Sequence, residues 1–223
     1  MKRSCYICNQ EASSKEHVPA KCFFPEDGKY KKNLITVHSC SLHNEDTSAD
    51  DEYVRNIITM SLGNNNIAYN KFIRKTIKSF AKSERLFEST TRNAIPLEIH
   101  NGDVNERTIA IEIDRERFDK IMKKIAYGLF YYDNNCVWDR ELIVTTEFLR
   151  YEDLSPDDLG KMIQRFRSYL IEPEFDGKNP MVFKYKFIIP APSDEFDQVL
   201  WMKFYESFEV FITSIEGSTT AKI

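Results

Sequence analysis

CYICNQEASSKEHVPAKCFFPEDGKYKKNLITVHSCSLHNEDTSADDE, residues 5–52, contains four of the five cysteines (Cys5, Cys8, Cys22, Cys40) and three of the four histidines (His17, His38, His43). A metal accounts for that crowding most simply. Cys5-x-x-Cys8 forms one two-ligand knuckle and Cys40-x-x-His43 a second, with a 31-residue insert between them. Two intervening residues let a tight turn aim both side chains at one point, and three cysteines with one histidine are an accepted tetrahedral set for structural zinc. A lone CxxC could equally be a redox pair, but the second knuckle favours zinc. Cys22 and His38 are left over. Cys22, beside Phe23 and Phe24, reads as an ordinary buried thiol.

Inside the insert stands Glu16-His17-Val18-Pro19, and Asn44 directly follows the last knuckle residue. An acid–histidine pair with proline two residues on, held between zinc knuckles, resembles the HNH endonuclease family over roughly residues 3–56. The resemblance implies a ββα-metal unit in which a hairpin carries the histidine and a helix begins after the second knuckle. It makes His17 the general base that takes a proton from water, and gives Glu16 and Asn44 one divalent cation on the scissile phosphate. There the cation would neutralise developing charge and the leaving 3′-oxygen.

The residue types suit that chemistry on their own terms. Histidine titrates near neutrality and can be unprotonated yet still basic. Carboxylate and amide oxygens suit Mg2+ or Mn2+, whereas thiolates select zinc. The family's middle asparagine usually lies about five residues before the second knuckle; the nearest here is Asn33, seven before Cys40. The third motif position is Asn44 or something later on the helix, where Ser48, Asp50 and Asp51 are within reach, with Asp51 ranked after Asn44. The plainer reading is a zinc ribbon that only binds a partner, with His17 a hydrogen-bonded structural histidine and Glu16 a solvated charge.

Outside this stretch the chain reads as an ordinary globular protein of 223 residues, 42% hydrophobic and 30% charged. No run approaches the 18 or so apolar residues of a membrane helix, and MKRSCYIC has no apolar signal core, so a cytoplasmic location is expected. The net charge of −4 argues against binding nucleic acid through bulk charge. Its distribution is uneven, however: residues 1–43 carry seven Lys or Arg against four acids. Lys29, Lys31 and Lys32, after a Pro25–Gly28 turn, are candidate phosphate contacts.

Leu34–Val37 reads as a strand. A helix capped by Asp46 or Ser48 carries Val54, Ile57, Ile58 and Leu62. The pattern then predicts one helix over about 67–88, with Lys71, Arg74, Lys75, Lys78, Lys82 and Arg85 as an outward cationic stripe. Tyr69, Phe72, Ile73, Thr76, Ile77, Phe80 and Phe87 would form its packing face. Lys71, Lys75 and Lys78 join the nucleic-acid candidates.

Further on, a hairpin flanks Asn101-Gly102-Asp103, and a helix from Asp114 or Arg115 has Phe118, Ile121, Met122, Ile125, Leu129 and Tyr132 as its core stripe. Cys136, beside Val137 and Trp138, is expected in the core. Leu142–Thr146 is a strand, Ser155-Pro156 opens a helix to about Leu170, Met181–Ile189 alternates as a strand that Pro190 and Pro192 break, Val199–Ile215 holds two aromatic strands, and Gly217–Ile223 is a frayed tail.

The expectation is therefore an α+β protein: an HNH ββα module over 1–62, a basic-striped helix over 63–92, and a mainly antiparallel domain over 93–223 that supports the module or binds a target. Its expected activity is hydrolysis of DNA phosphodiesters with structural Zn2+ and catalytic Mg2+ or Mn2+. Two rivals stand beside it: a noncatalytic zinc-binding interaction module, and a nuclease subunit of phage defence or a mobile element that works only with a protein partner or as a homodimer through the C-terminal domain.

Overall fold

The computed structural model describes residues 3–44, 47–101, 104–169, 174–190 and 196–215. It is an α+β fold. Asp46, the Gly102-Asp103 turn, Leu170, Pro192 and the tail after Gly217 lie outside the described residues.

The chain opens with a short antiparallel hairpin, β1 (Ser14–His17) against β2 (Thr36–Ser39), in a register that pairs Glu16 with Val37 and His17 with Thr36. Two helices follow, α1 (Ser41–Asn44) and α2 (Ser48–Met60). The segment expected as one long helix runs in continuous helical backbone through α3 (Asn66–Lys71), a π-helical turn (Phe72–Thr76) and α4 (Ile77–Lys82), and breaks at Ser83 before α5 (Glu84–Thr91). A hairpin, β3 (Ile95–Asn101) and β4 (Val104–Ala110), leads to α6 (Arg115–Asn134). Asp114 caps α6 by accepting from the Arg117 N–H at 3.1 Å, and Asn135 closes it in a left-handed conformation (φ 54°).

A five-stranded antiparallel sheet completes the fold. Its strands are β5 (Leu142–Thr145), β6 (Asp176–Asn179), β7 (Phe183–Ile188), β8 (Phe196–Phe204) and β9 (Phe208–Ile215), in the order β5-β9-β8-β7-β6. Helix α7 (Pro156–Ser168), capped by the Ser155 hydroxyl with proline at its first turn, lies between β5 and β6 in sequence. The period of two along β8 divides the core. Val199 and Trp201 pack with Leu159, Ile163 and Phe166 of α7; Leu200, Met202 and Phe204 point the other way.

On that second face, α6, the hairpin and α2 share one continuous core, from Cys5, Tyr6, Val18 and Phe23 through Val54 and Ile58 to Phe118, Ile121, Met122, Ile125 and Leu129. Fully burying an aliphatic or aromatic side chain of this kind contributes about 1.5 to 3 kcal/mol.

Three sequence expectations need correction. Helix α3 and the turn after it are rotated so that Ala68, Lys71 and Thr76 face inward, while Tyr69, Ile73, Ile77 and Phe87 stay exposed. Lys71 therefore does not belong to an outward stripe. Its ammonium donates to the Phe24 carbonyl at 2.8 Å, and burial pushes its pKa down to about 8. Cys136 is exposed instead of in the core, and Tyr132 falls outside the buried stripe of α6.

Gly128 is where α6 and the hairpin approach most closely. A Cβ there would meet the Val18 γ-carbons at 2.6 and 2.9 Å, and Val18 is itself buried and β-branched, so its methyls have nowhere to swing. Alanine normally gains about 1 kcal/mol over glycine inside a helix. Overpacking of this kind costs about 1 to 3 kcal/mol. Gly128→Ala is expected to lower the melting temperature by several degrees against that propensity, as read by calorimetry; a rise would show that the two elements can part without cost.

Candidate functional site

Four side chains converge at the amino end. Cys5 and Cys8 sit on a tight turn in which the Asn9 N–H donates to the Cys5 carbonyl at 3.1 Å and Asn9 takes φ 60°. Cys40 ends the hairpin and His43 lies on α1, with the His43 and Asn44 N–H groups both donating to the Cys40 carbonyl. The Cys8 and Cys40 sulphurs are 3.8 Å apart, and His43 Nδ1 lies 3.6 Å from Cys5 Sγ and 3.2 Å from Cys40 Sγ. All four donor atoms fall within 4.8 Å of one another, so the cluster could hold a metal ion. Zinc–thiolate bonds of about 2.3 Å at tetrahedral angles separate sulphurs by about 3.8 Å, so the donors are spaced as such an ion requires.

Burial raises the Cys5 thiol, but backbone N–H groups of Cys40, Ile7 and Cys8 aimed at its sulphur more than offset that and bring its pKa below the usual value. Cys22 and His38 are not in the cluster. Burial pushes the Cys22 thiol up to about 12, as an inert buried cysteine should be.

The hairpin carries Glu16 and His17 away from this clasp to a second polar centre. A cavity of about 10 Å³ is lined by Tyr6, Glu16, His17, Val18, Ala20, Asp51, Lys124 and Ile125. That is room for one water-sized particle. Glu16 accepts from the Tyr6 hydroxyl at 3.1 Å and forms an ion pair with Lys124 of α6, both side chains being nearly buried. Lys124 also donates to Thr47 Oγ1 at 2.5 Å, and that hydroxyl reaches Asp51 Oδ2 at 3.3 Å.

His17 Nδ1 is buried with no hydrogen-bond partner. Burial and the nearby Lys21 charge lower the His17 pKa more than the Ile35 carbonyl raises it, so the ring is neutral at pH 7. Asp51 is pushed the other way, up to about 6, chiefly by burial and also by Glu16, with Lys124 opposing.

The candidates from sequence are therefore distributed unevenly. Glu16 and His17 share the cavity. Asn44 does not line it: its amide donates to Ser14 Oγ at 2.8 Å, one pleat along the same strand. Asp51 takes the helix position instead. Asn33 is exposed in a left-handed turn (φ 55°), and no hydrogen bond joins it to His17; the Ile35 carbonyl is the main-chain group beside the ring.

Lys29, Lys31, Lys32 and Lys78 are exposed, Lys29 with its ammonium over the Tyr30 ring. Lys75 pairs with Glu26 at 2.5 Å, across a cleft of about 260 Å³ that Tyr30, Lys71 and Arg74 also line. The two basic groups thus meet around one acid.

Sequence reasoning missed Lys124. On α6, Arg117, Lys120, Lys124 and Gly128 fall at helical spacing on one stripe. Arg117 and Lys120 bind Asp50 at 2.7 and 2.9 Å, and Arg117 also covers the Tyr53 ring. A cationic stripe directly beside a core stripe was the available signal that α6 docks onto an acidic helix start.

No protein-family model matches the chain, and no curated protein and no solved structure is significantly similar to it. Among the described residues no helix is long and apolar enough to cross a membrane.

The Asp51 geometry has a measurable consequence. A carboxyl raised to about 6 in the fold, against a usual value of 3.8, favours folding while protonated, and that contribution is lost as pH rises through 6. Asp51→Asn removes the loss. It is expected to stabilise the protein by about 2 to 3 kcal/mol at pH 7 to 8 and to make no difference below about pH 4, in denaturant melts across pH without added Mg2+ or Mn2+. Equal stability of the two proteins at pH 8 would mean that Asp51 is not strained by burial.

Proposed function

We propose that this protein is an HNH-type endonuclease that hydrolyses DNA phosphodiesters, with His17 as general base and a structural Zn2+ on Cys5, Cys8, Cys40 and His43. The observation that carries this reading is a neutral imidazole with an unpartnered Nδ1 at the end of a hairpin strand, sharing a one-water cavity with the carboxylates of Glu16 and Asp51. A water there can pass its proton to the His17 ring as it attacks phosphorus.

Glu16 and Asp51 present hard oxygens of the kind Mg2+ or Mn2+ takes, and such an ion would supply charge neutralisation at the scissile phosphate. Asp51 replaces Asn44 as the helix-borne partner in this reading. The fit is incomplete as the site stands, because the Lys124 ammonium and the Tyr6 hydroxyl already engage Glu16. Lys29, Lys31, Lys32 and Lys78 are exposed for phosphates, and Lys75 is available where Glu26 releases it.

That engagement of Glu16, in a cavity no larger than a water, favours a second reading: a noncatalytic zinc module whose polar centre is structural. A nuclease that acts only with a partner is the third, supported by the exposed Tyr69, Ile73, Ile77 and Phe87.

Plasmid digestion with Mg2+, Mn2+ or Ni2+ separates them. His17→Ala is expected to lose at least about 100-fold in cleavage rate, the usual contribution of a general base. Because burial holds the His17 pKa below its usual value, the acid-side fall of the wild-type rate should be centred below pH 6.5 and be absent from His17→Ala. Cleavage that survives His17→Ala rejects the assignment.

The clasp is tested apart from activity. Elemental analysis should find one zinc per chain, and Cys8→Ser or stripping with a strong chelator should melt the amino-terminal hairpin first, seen as loss of amide protection. Purified protein lacking zinc yet fully protected would exclude the clasp.

A further inference from the structure

Where β1, the start of α2 and α6 meet, two carboxylates face one ammonium. Glu16 pairs directly with Lys124, and Asp51 lines the same cavity and is linked to Lys124 through the Thr47 hydroxyl. The Lys124 side chain is 12% exposed and that of Glu16 10%, so water screens these charges poorly.

An ammonium in a cage of carboxylate and hydroxyl oxygens satisfies one negative charge and leaves the second short. A divalent cation of the Mg2+ or Mn2+ kind balances both and prefers the same oxygen donors. Thiolates are absent from this cage, so it does not compete with the clasp for zinc.

We infer that Lys124 is the resident cation of an exchangeable metal site formed by Glu16, Thr47 and Asp51, and that an oxygen-preferring divalent cation enters by displacing its ammonium. Entry needs no rearrangement of the backbone. Lys124 is a point charge on a flexible four-carbon stem. Helix α6 stays docked without it, because Arg117 and Lys120 hold Asp50 of α2 and Gly128 lies against Val18. The displaced ammonium leaves room for more than the single water-sized particle that the cavity accepts with Lys124 in place, and it becomes available to an incoming anion. The inference deepens the proposed nuclease site, since it rests on reading Glu16 and Asp51 as cation ligands. It does not require that the protein cut DNA.

Zinc-loaded full-length protein is titrated with Mn2+ and free ion is counted by electron paramagnetic resonance. Lys124→Met is expected to bind one Mn2+ at least tenfold more tightly than wild type, and the added substitution Asp51→Asn should abolish the gain. Equal Mn2+ affinity in wild type and folded Lys124→Met overturns the inference.

A second measurement uses the wild-type protein, in case Lys124→Met does not fold. Lys124 is acylated with an amine-reactive ester with and without saturating Mn2+, and the modified peptide is quantified by mass spectrometry. Displacement should raise labelling of Lys124 severalfold while leaving Lys71, buried elsewhere, unchanged. Labelling of Lys124 that does not respond to Mn2+ counts against displacement. Tight Mn2+ binding by Lys124→Met with no cleavage of plasmid by any form would leave this site standing and remove the nuclease reading alone.

Discussion

A carboxylate taken out of water must keep a cation beside it. Glu16 and Lys124 come from segments more than a hundred residues apart in the chain, and their pairing ties the amino-terminal hairpin to α6 beside the contact of Gly128 with Val18. Removing one partner of such a pair typically costs about 3 to 5 kcal/mol, because the survivor remains as an uncompensated buried charge. The pair is therefore weak as a source of net stability and strong as a constraint on arrangement. The Asp50 contacts to Arg117 and Lys120 align α2 with α6, and the Gly128–Val18 approach sets the depth at which the hairpin rests.

The hairpin could not supply that arrangement alone. Two strands of four residues are below what an isolated hairpin needs in water. The four-donor cluster closes the long insert at its base, and the Tyr6 N–H bonded to the His38 carbonyl at 2.9 Å ties the first knuckle to β2. At the other end of the insert, Lys71 and Tyr205 donate to the Phe24 and Phe23 carbonyls. The segment from Cys5 to His43 is thus held at its base by soft ligands and at its tip by the rest of the core, with Glu16 and His17 between these anchors.

Much of this was legible in the residues. The knuckle spacing identified all four cluster members, alternation identified β7, the aromatic run over 199–215 identified β8 and β9, and the helix start at Asp114 or Arg115 and the cap at Ser155 placed α6 and α7. What failed has physical causes. Lys71 was assigned to a solvated face because a lysine is expected there, yet its ammonium reaches a main-chain carbonyl; a periodicity argument weighs residue types and cannot see that acceptor. The π-helical turn at Phe72–Thr76 also breaks the even spacing on which the stripe was drawn. Asn44 was preferred to Asp51 because it adjoins the knuckle in sequence, whereas it is the first turn of the next helix, α2, that places a side chain on the cavity. Lys124 was missed because its partner lies on another element: the cationic stripe on α6 signals docking against acids, but it does not say which acid each lysine meets.

Helix α2 carries two buried polar faces that differ in how they are satisfied. Its Asn56 side chain accepts from both Arg55 and Thr76 at 2.8 Å, and Thr59 bonds back to the Arg55 carbonyl, a network that locks the helix to its neighbours and leaves the Arg55 Nε without a partner. The Asp51 face is different in kind. There a carboxyl is raised toward neutrality, an imidazole nitrogen lies buried without a partner, and negative charge exceeds positive among the groups lining the cavity. A sequence selected for stability alone would favour an uncharged residue at position 51 and a partner for the His17 ring. An unpartnered buried nitrogen also occurs at Arg55, so what sets the cavity apart is the combination of that feature at His17 with two carboxylates against one ammonium, which is the combination the proposed site uses.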